Sequence, residues 1–182
     1  GSNFKPFLYA AALENGYTAA SLINDAPLDR SDYRPENFGG EFLGPITLKY
    51  ALTNSKNLVS IRLYDALGSD IVLPYVARFG FNENEFPRND LTVAIGSHAV
   101  TPMEVATGYA VFANGGYKVE PYLIERINNF NDGLVYQAEP QRVCNACGMS
   151  FDPGDRQTAS LYPAPRVIDE DVAYIMNTIL RS

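Results

Sequence analysis

A short apolar run near the start of the chain, residues 6–13, constrains the fold more than any other stretch. Its alanines and leucines are strong helix formers, and Gly16 suits a helix stop because glycine readily adopts the left-handed conformation. Apolar side chains would occupy most sides of this helix, which is therefore expected to be buried. Because proline is tolerated only in the first helical turn, Pro6 places the helix start at or before Ser2 and Asn3.

Ser2 and Lys5 lie at this helix start, three positions apart. In a helix that spacing places both side chains on one face, with Cβ atoms about 5–6 Å apart. A hydroxyl and an amine so placed can act as nucleophile and proton acceptor, and the unpaired N–H groups of a helix start can hold a developing negative charge. The pair is a candidate acylation site. Two simpler interpretations remain open at this point: Gly1-Ser2 is also a common cloning remnant, and serine is an ordinary helix-start residue.

The composition is that of a globular domain and argues against two classes of function. The chain has 182 residues, of which 46% are hydrophobic and 19% charged, with a formal net charge of −7. No Lys/Arg cluster or basic stripe is present, so nucleic-acid binding has little support. No apolar run reaches the ~18–20 residues that span a bilayer, and any targeting segment is expected outside this sequence.

Helices dominate the rest of the pattern. Thr101-Pro102-Met103-Glu104 predicts a capping box with proline at the first helical position, and Asn131-Asp132-Gly133 is typical of a hairpin turn. Stretches 24–46 and 81–100 are rich in turn formers and are predicted to be irregular. The class is α+β, because a parallel α/β sheet would need regularly alternating strands. The helices are predicted at about residues 47–52, 58–67, 70–79, 101–113 and 169–180, and the strands at 117–119, 122–130 and 134–136.

The second chemical feature is Ser55-Lys56-Asn57, in a turn between two predicted helices. On its own it is weak, since serine and asparagine are also common caps and turn formers. An S-x-x-K motif followed by S-x-N is, however, the combination used by penicillin-interacting acyl-serine enzymes. Acyl transfer from an amide needs a nucleophile, a base, an acid and an oxyanion hole. We assign Ser2 as the nucleophile and Lys5 as its base. Ser55 would relay a proton to the leaving group, and Asn57 would hold a substrate peptide group.

Three blocks together resemble a known family. Residues 1–6, 52–59 and 94–117 look like the transpeptidase domain of class A, bifunctional penicillin-binding proteins, and the resemblance extends to about residue 138. Its most diagnostic part begins at Thr101. The Asn24-Asp25-Ala26-Pro27 loop and the C-x-x-C segment are similar to the penicillin-binding protein 1A group of Gram-negative bacteria. Under this resemblance Gly1-Ser2 is native sequence.

The resemblance implies a fold, an activity and a location. The fold would be the α+β fold shared by penicillin-binding proteins and serine β-lactamases, represented here mainly by its helical part. The activity would be that of a D,D-transpeptidase, which attacks the D-Ala-D-Ala end of a peptidoglycan stem peptide, releases D-Ala and passes the acyl group to an amine on a neighbouring strand. β-Lactams would acylate Ser2 as substrate mimics, and no metal or cofactor is implied. In the family the domain lies at the periplasmic face of the inner membrane, with a glycosyltransferase domain and a membrane helix that are both expected outside this sequence.

One departure limits the resemblance. The family's third motif, K-T-G, is absent, since no lysine is followed by Thr-Gly or Ser-Gly. In the family this motif lies on a strand that edges the site, beside one of the two N–H groups of the oxyanion hole. Residues 1–182 are therefore expected to be one part of a transpeptidase domain that lacks much of the antiparallel sheet and does not fold alone. The remainder of that domain is the expected partner.

The segment 139–166 is predicted to be an insertion, and it holds the cysteine pair Cys144 and Cys147. A short-loop disulfide is favoured over a zinc site, which needs four ligands, and over a redox motif, which needs a βαβ context. For His98, which has no evident catalytic partner, a structural role is expected.

Two alternatives to a transpeptidase remain. A serine β-lactamase shares the first two motifs but needs a deacylating glutamate on a nearby loop, and none is identified in the sequence. A non-catalytic penicillin-sensing domain would bind the drug without processing a peptide. Fast release of bound penicillin would indicate the first alternative, and absence of D-Ala-D-Ala turnover the second.

Overall fold

The computed structural model describes residues 1–28, 33–143 and 163–182. These ranges form helices and two small antiparallel sheets, which confirms the α+β class. The helices are α1 (Lys5–Glu14), α2 (Leu48–Thr53), α3 (Asn57–Leu67), α4 (Ser69–Ala77), α5 (Pro102–Ala113) and α6 (Glu170–Leu180). The strands are β1 (Leu22–Asp25), β2 (Gly44–Thr47), β3 (Arg126–Asn128) and β4 (Leu134–Gln137). Short 3-10 helices occur at Ser2–Phe4, Glu83–Glu85 and Leu91–Ile95.

Helix α1 is the centre of the fold. Every residue from Lys5 to Ala12 is buried, and the helix packs against α2, α3, α4 and α6. Phe7 lies in an aromatic cluster, with its ring centroid 4.9 Å from that of Phe81 and 5.0 Å from that of Phe79. Each fully buried phenylalanine contributes about 1.5–3 kcal/mol through loss of apolar surface to water. The burial predicted for the apolar run is therefore confirmed, and packing in this aromatic cluster stabilises the buried position of α1.

The helical conformation begins at Ser2, as predicted, but first as a 3-10 turn. Ser2–Phe4 forms this turn, and α1 continues from Lys5 with Pro6 in its first turn, where the missing N–H of proline is not needed. After α1, Gly16 takes a φ of +90°, which ends the helix. Ser2 and Lys5 are thus held at the end of a buried and rigid element.

Strands β1 and β2 correct the prediction that residues 24–46 are wholly irregular. They pair antiparallel, with Leu22 opposite Thr47 and Asp25 opposite Gly44. Each strand has only four residues, and β2 contains Pro45, a residue that weakens strand signals. The partners lie about twenty residues apart in sequence, so no local pattern indicated their pairing.

The predicted hairpin after residue 120 is present but shorter than expected. Strands β3 and β4 pair antiparallel, and Asp132 takes a φ of +59° in the turn between them. Tyr117, predicted to lie in a strand, forms only an isolated bridge with Arg166. Residues 122–130 have strand propensity along their length, but the paired strand covers only Arg126–Asn128. The predicted strand from 122 to 130 was therefore too long.

Helix α5 confirms the predicted capping box. The Thr101 hydroxyl accepts a hydrogen bond from the backbone N–H of Glu104 at 3.2 Å, and the Glu104 carboxylate accepts one from the backbone N–H of Thr101 at 2.7 Å. These bonds to Thr101 lower the pKa of Glu104. The other predicted helices are also found, with ends that differ by one or two residues.

The predicted cysteine pairing lies outside the described residues, because Cys144 and Cys147 fall between 143 and 163. Most of the predicted insertion at 139–166 lies there too, and it remains a prediction. Among the helices that the structure does describe, none combines the length and apolar character needed to cross a bilayer.

Gly108 gives a first testable consequence of the packing around α1. It lies inside α5, where alanine normally stabilises a helix by about 1 kcal/mol relative to glycine. A Cβ at this position would lie 2.8 Å from ring atoms of Phe7, which neighbouring rings hold in place. Gly108→Ala is therefore expected to lower the free energy of unfolding by about 1–3 kcal/mol, as overpacked cores do.

Denaturant unfolding of the intact protein measures this effect, and Phe7→Leu supplies a matched background. The smaller side chain should make room for the new methyl group, so the penalty of Gly108→Ala should shrink in the double variant. A stabilising effect of Gly108→Ala in the wild-type background would contradict the packing described here.

Candidate active site

Lys5 is the most heavily bonded polar side chain at the start of α1. It is 1% exposed, and its Nζ donates to three oxygen atoms. These are the Ser55 carbonyl at 2.7 Å, the Ser55 hydroxyl at 3.0 Å and the Asn57 Oδ1 at 2.7 Å. The structure therefore brings together three of the four residues that the sequence assigned to the site.

The turn at Ser55 explains how one residue offers two oxygens to Lys5. Helix α2 ends at Thr53 and α3 begins at Asn57, so only three residues join the two helices. Ser55 has a φ of +51°, a left-handed conformation that is uncommon for residues other than glycine. The N–H groups of Ser55 and Lys56 donate hydrogen bonds to the carbonyls of Leu52 and Ala51, respectively, and these bonds cap the end of α2. This backbone conformation leaves the Ser55 carbonyl and hydroxyl both bonded to Lys5.

Asn57 is engaged at both ends of its amide. Its Oδ1 accepts from Lys5, and its Nδ2 donates to the Glu36 carbonyl at 3.0 Å. The second amide hydrogen has no partner among the described residues, so it is the part of Asn57 that can meet a ligand. Contact with a substrate peptide group stays a prediction for this residue.

The environment of Lys5 favours a neutral amine more than water does. Burial lowers the pKa of Lys5 from its ordinary value of 10.5 to about 8. The three atoms that it bonds are neutral oxygens, which satisfy the ammonium hydrogens without supplying a full negative charge. An amine tuned in this way is suited to accept a proton near neutral pH.

Ser2 lies on the solvent side of the same helix start. Its side chain is exposed and makes no hydrogen bond to any residue that the structure describes. It borders an open cavity of about 250 Å³ that Ser55 also borders. The lining residues are Ser2, Asn3, Pro6, Leu52, Thr53, Ser55, Tyr109, Ile179, Leu180 and Ser182. Ser2 and Ser55 thus border one cleft, and the buried Lys5 is linked to it through its two bonds to Ser55.

A second cavity, of about 600 Å³, also borders the helix start. It is mainly apolar, and Phe4, Phe86 and His98 are among its lining residues. The His98 ring packs against that of Phe86, with centroids 4.9 Å apart and the ring planes tilted by 44°, which agrees with a structural role for this histidine. Tyr109 borders both cavities, and its hydroxyl donates to the Asn3 carbonyl at 3.2 Å.

Sequence reasoning missed the residues that support the site from behind. Asn37 accepts hydrogen bonds from the backbone N–H groups of Asn57 and Leu58, and Tyr9 bonds to Ser60 beneath the same turn. Asn37 lies in the stretch predicted to be irregular, where no local pattern separates a structural asparagine from a turn residue. Within the described ranges, no group of three or more His, Cys, Asp or Glu side chains could hold a metal ion.

Comparison with known proteins gives a family profile, curated relatives and solved structures that resemble this chain. A family profile described as "Penicillin binding protein transpeptidase domain" matches residues 1–181. Penicillin-binding protein 1A of Pseudomonas aeruginosa is 43% identical over all of this chain and 26% of its own length. The crystal structure of penicillin-binding protein 1A from Haemophilus influenzae has a TM-score of 0.85 and 34% identity, covering 99% of this chain and 29% of that one.

A more distant neighbour shares the fold. The imipenem acyl-enzyme complex of penicillin-binding protein A from M. tuberculosis has a TM-score of 0.79 at 22% identity, covering 98% of this chain and 42% of that one. The chain spans about a quarter of the length of the curated relatives it matches. These matches confirm the fold predicted from the sequence. Since the family profile covers almost every residue, the chain belongs to the penicillin-binding protein transpeptidase family, and it is similar to the 1A proteins of Gram-negative bacteria.

Proposed function

We propose that this chain supplies the nucleophile and the proton-transfer residues of a serine-type D,D-transpeptidase of peptidoglycan synthesis. The observation that carries the proposal is the burial of Lys5 against Ser55 and Asn57, since Ser55 borders the same cleft as Ser2. The substrate class is a stem peptide ending in D-Ala-D-Ala, as the resemblance to the class A penicillin-binding proteins implies.

In the first step, the Ser2 Oγ forms a bond to the carbonyl carbon of the penultimate D-Ala. The hydroxyl proton goes to neutral Lys5, and the carbonyl oxygen becomes an oxyanion. The N–H of Ser2, at the start of the 3-10 turn, is one donor to that oxyanion. The family's second donor lies beside the K-T-G motif, so the remainder of the domain would complete the hole.

In the second step, the peptide C–N bond breaks and the D-Ala nitrogen takes a proton. Of the three oxygens bonded to Lys5, only the Ser55 hydroxyl carries a hydrogen, since a carbonyl and an amide oxygen can only accept. Ser55 can therefore pass its proton to the leaving nitrogen while it receives one from Lys5. This leaves D-Ala as the free amino acid, an acyl ester on Ser2 and a neutral Lys5.

The acyl group then passes to an amine of a neighbouring peptidoglycan strand, which loses a proton by the reverse route and frees Ser2. β-Lactams are proposed as covalent ligands of Ser2, since an acyl-enzyme forms in the M. tuberculosis protein of the same fold. The proposal also includes three further parts of the protein: the remainder of the transpeptidase domain, a glycosyltransferase domain, and a membrane tether at the periplasmic face of the inner membrane.

Two measurements on the intact protein test this function against its alternatives. A fluorescent penicillin should label Ser2 and be released slowly, and a D-Ala-D-Ala peptide should be converted to a cross-linked product. Rapid release of the penicillin would indicate a β-lactamase instead. Stable labelling without peptide turnover would indicate a sensor.

The pH dependence of acylation is a further expected result. Because burial lowers the pKa of Lys5 to about 8, the neutral base becomes more abundant as pH rises towards 8 and levels off above it. The acylation rate constant should therefore rise about tenfold per pH unit well below 8 and reach a plateau near pH 9. Stopped-flow measurement of labelling between pH 6 and 10 checks this. A flat profile, or a midpoint at the ordinary lysine value, would contradict Lys5 as the base.

A further inference from the structure

Two buried polar side chains behind the site have no part in the proton transfers described above. Asp25, at the end of β1, is fully buried, and Asn37 is 5% exposed. The Asn37 Nδ2 donates to the Asp25 Oδ1 at 2.6 Å and to the Glu41 carbonyl at 2.9 Å. Burial of a carboxylate is costly unless it is well bonded, so this buried pair is expected to have a specific role in the fold or the site.

Asn37 caps helix α3 from a distant part of the chain. Its Oδ1 accepts from the N–H of Asn57 at 2.9 Å and from the N–H of Leu58 at 3.3 Å, the first two N–H groups of that helix. Lys56, the residue in the cap position, makes no side-chain cap bond. A helix start normally takes its cap from its own sequence, whereas here the cap comes from twenty residues earlier.

Asp25 decides which end of the Asn37 amide faces the helix. A carboxylate can only accept, so it holds the Nδ2 of Asn37 and turns the Oδ1 towards α3. With the amide reversed, its hydrogens would meet the N–H groups of Asn57 and Leu58. Asp25 is itself held by the backbone N–H of Leu43 at 3.3 Å and by the pairing of β1 with β2.

The chain of bonds continues to the proposed base. Asn37 holds the backbone of Asn57, and the side chain of Asn57 bonds Lys5. Ser55, two residues earlier in the same turn, provides the other two oxygens around the Lys5 amine. A displacement of this turn would move every oxygen that Lys5 bonds.

We propose that Asp25 and Asn37 are positioning residues for acyl transfer, because they set the place of the Ser55-Lys56-Asn57 turn and hence of the oxygens around Lys5. This inference rests on the proposed function. Neither residue touches the substrate or the reacting atoms. Their role is to hold the proton-relay hydroxyl of Ser55 and the amide of Asn57 at hydrogen-bond distance from Lys5.

The test uses the intact protein, a fluorescent penicillin and two variants. Asn37→Ala removes the cap and should lower the acylation rate constant at saturating penicillin about 10- to 100-fold, as misplacement of catalytic groups by about 1 Å does. Water would also reach Lys5, so the midpoint of the acylation pH profile should move up from about 8 towards the ordinary lysine value. Asp25→Asn keeps the shape but not the charge, and it should give a smaller change in the same direction.

Two control variants separate positioning from loss of stability. Asn82→Ala removes another asparagine cap, one whose bonds involve Asn84 and Glu85 and lead away from the site. Val72→Ala opens a cavity in the buried core of α4. Both controls should keep the wild-type rate constant and pH midpoint per labelled molecule, whatever their melting temperatures.

Two results overturn the inference, and they can be told apart. If Asn37→Ala and Asp25→Asn lower the melting temperature but keep the wild-type rate constant and pH midpoint, the pair only stabilises the fold. If Asn37→Ala does not fold, the isosteric Asp25→Asn decides by the same criterion. If the wild-type protein itself is not acylated, the proposed function fails first and the inference falls with it.

Discussion

Replacing Ser2 with alanine is expected to abolish covalent labelling of the intact protein by a fluorescent penicillin. The variant loses the only oxygen that the mechanism allows to attack, while Lys5, Ser55 and Asn57 keep their hydrogen bonds to one another. Loss of a nucleophile that acts together with its base lowers turnover by about 10⁴-fold or more, to the level that binding and the oxyanion hole alone support. Gel fluorescence and the mass of the acylated peptide containing residue 2 measure the result.

Ser21→Ala is a matched control, because the Ser21 side chain bonds only Thr18 in the described structure. It should label at the wild-type rate. Ser2 is exposed and its hydroxyl has no partner among the described residues, so Ser2→Ala should also leave the melting temperature almost unchanged. Labelling of Ser2→Ala at the wild-type rate would place the nucleophile elsewhere, with the neighbouring hydroxyl of Ser55 as the first candidate.

Replacing Lys5 should lower the acylation rate constant by about 10²- to 10⁴-fold, the usual contribution of a positioned base. Lys5→Met keeps much of the buried volume but removes the amine. Lys5→Arg keeps a positive donor that stays protonated and cannot accept the Ser2 proton. Both variants should lose the rise of rate with pH, which stopped-flow labelling between pH 6 and 10 measures.

Lys49→Met is the control for Lys5→Met, because Lys49 is an exposed lysine on the neighbouring helix α2. Lys5→Met should also destabilise the fold, since it leaves the partly buried Ser55 carbonyl and Asn57 Oδ1 without their donor, at about 1 kcal/mol for each group. The rate constant is therefore reported per folded molecule. If Lys5→Arg keeps the wild-type rate and pH profile, a group other than Lys5 takes the proton.

Local sequence signals were sufficient wherever the determinants of a structure lie within a few residues of one another. The capping box at Thr101 and Glu104 predicted the start of α5, and the apolar run predicted a buried α1 with Ser2 at its end. These features depend on contacts between residues three or four apart, which the order of residues already encodes.

Pairing between distant segments was not predictable in the same way. Strands β1 and β2 are short, and β2 contains a proline, so each lacks a clear strand pattern by itself. The two segments form strands only because their backbones pair with each other. In the same region Asp25 is buried and accepts a hydrogen bond from Asn37. The local sequence around Asn37 indicates only a turn-rich loop.

For the site, the sequence by itself determined that Ser2 and Lys5 share one helix start, because their spacing equals about one helical turn. Only the tertiary structure decided what Lys5 meets there. Packing of α1 against α2 and α3 brings it to Ser55 and Asn57, which lie 50 and 52 residues further along the chain. That packing also removes water from the amine and lowers its pKa, because the energy of a charge depends on everything that surrounds it in space and not on its neighbours in sequence.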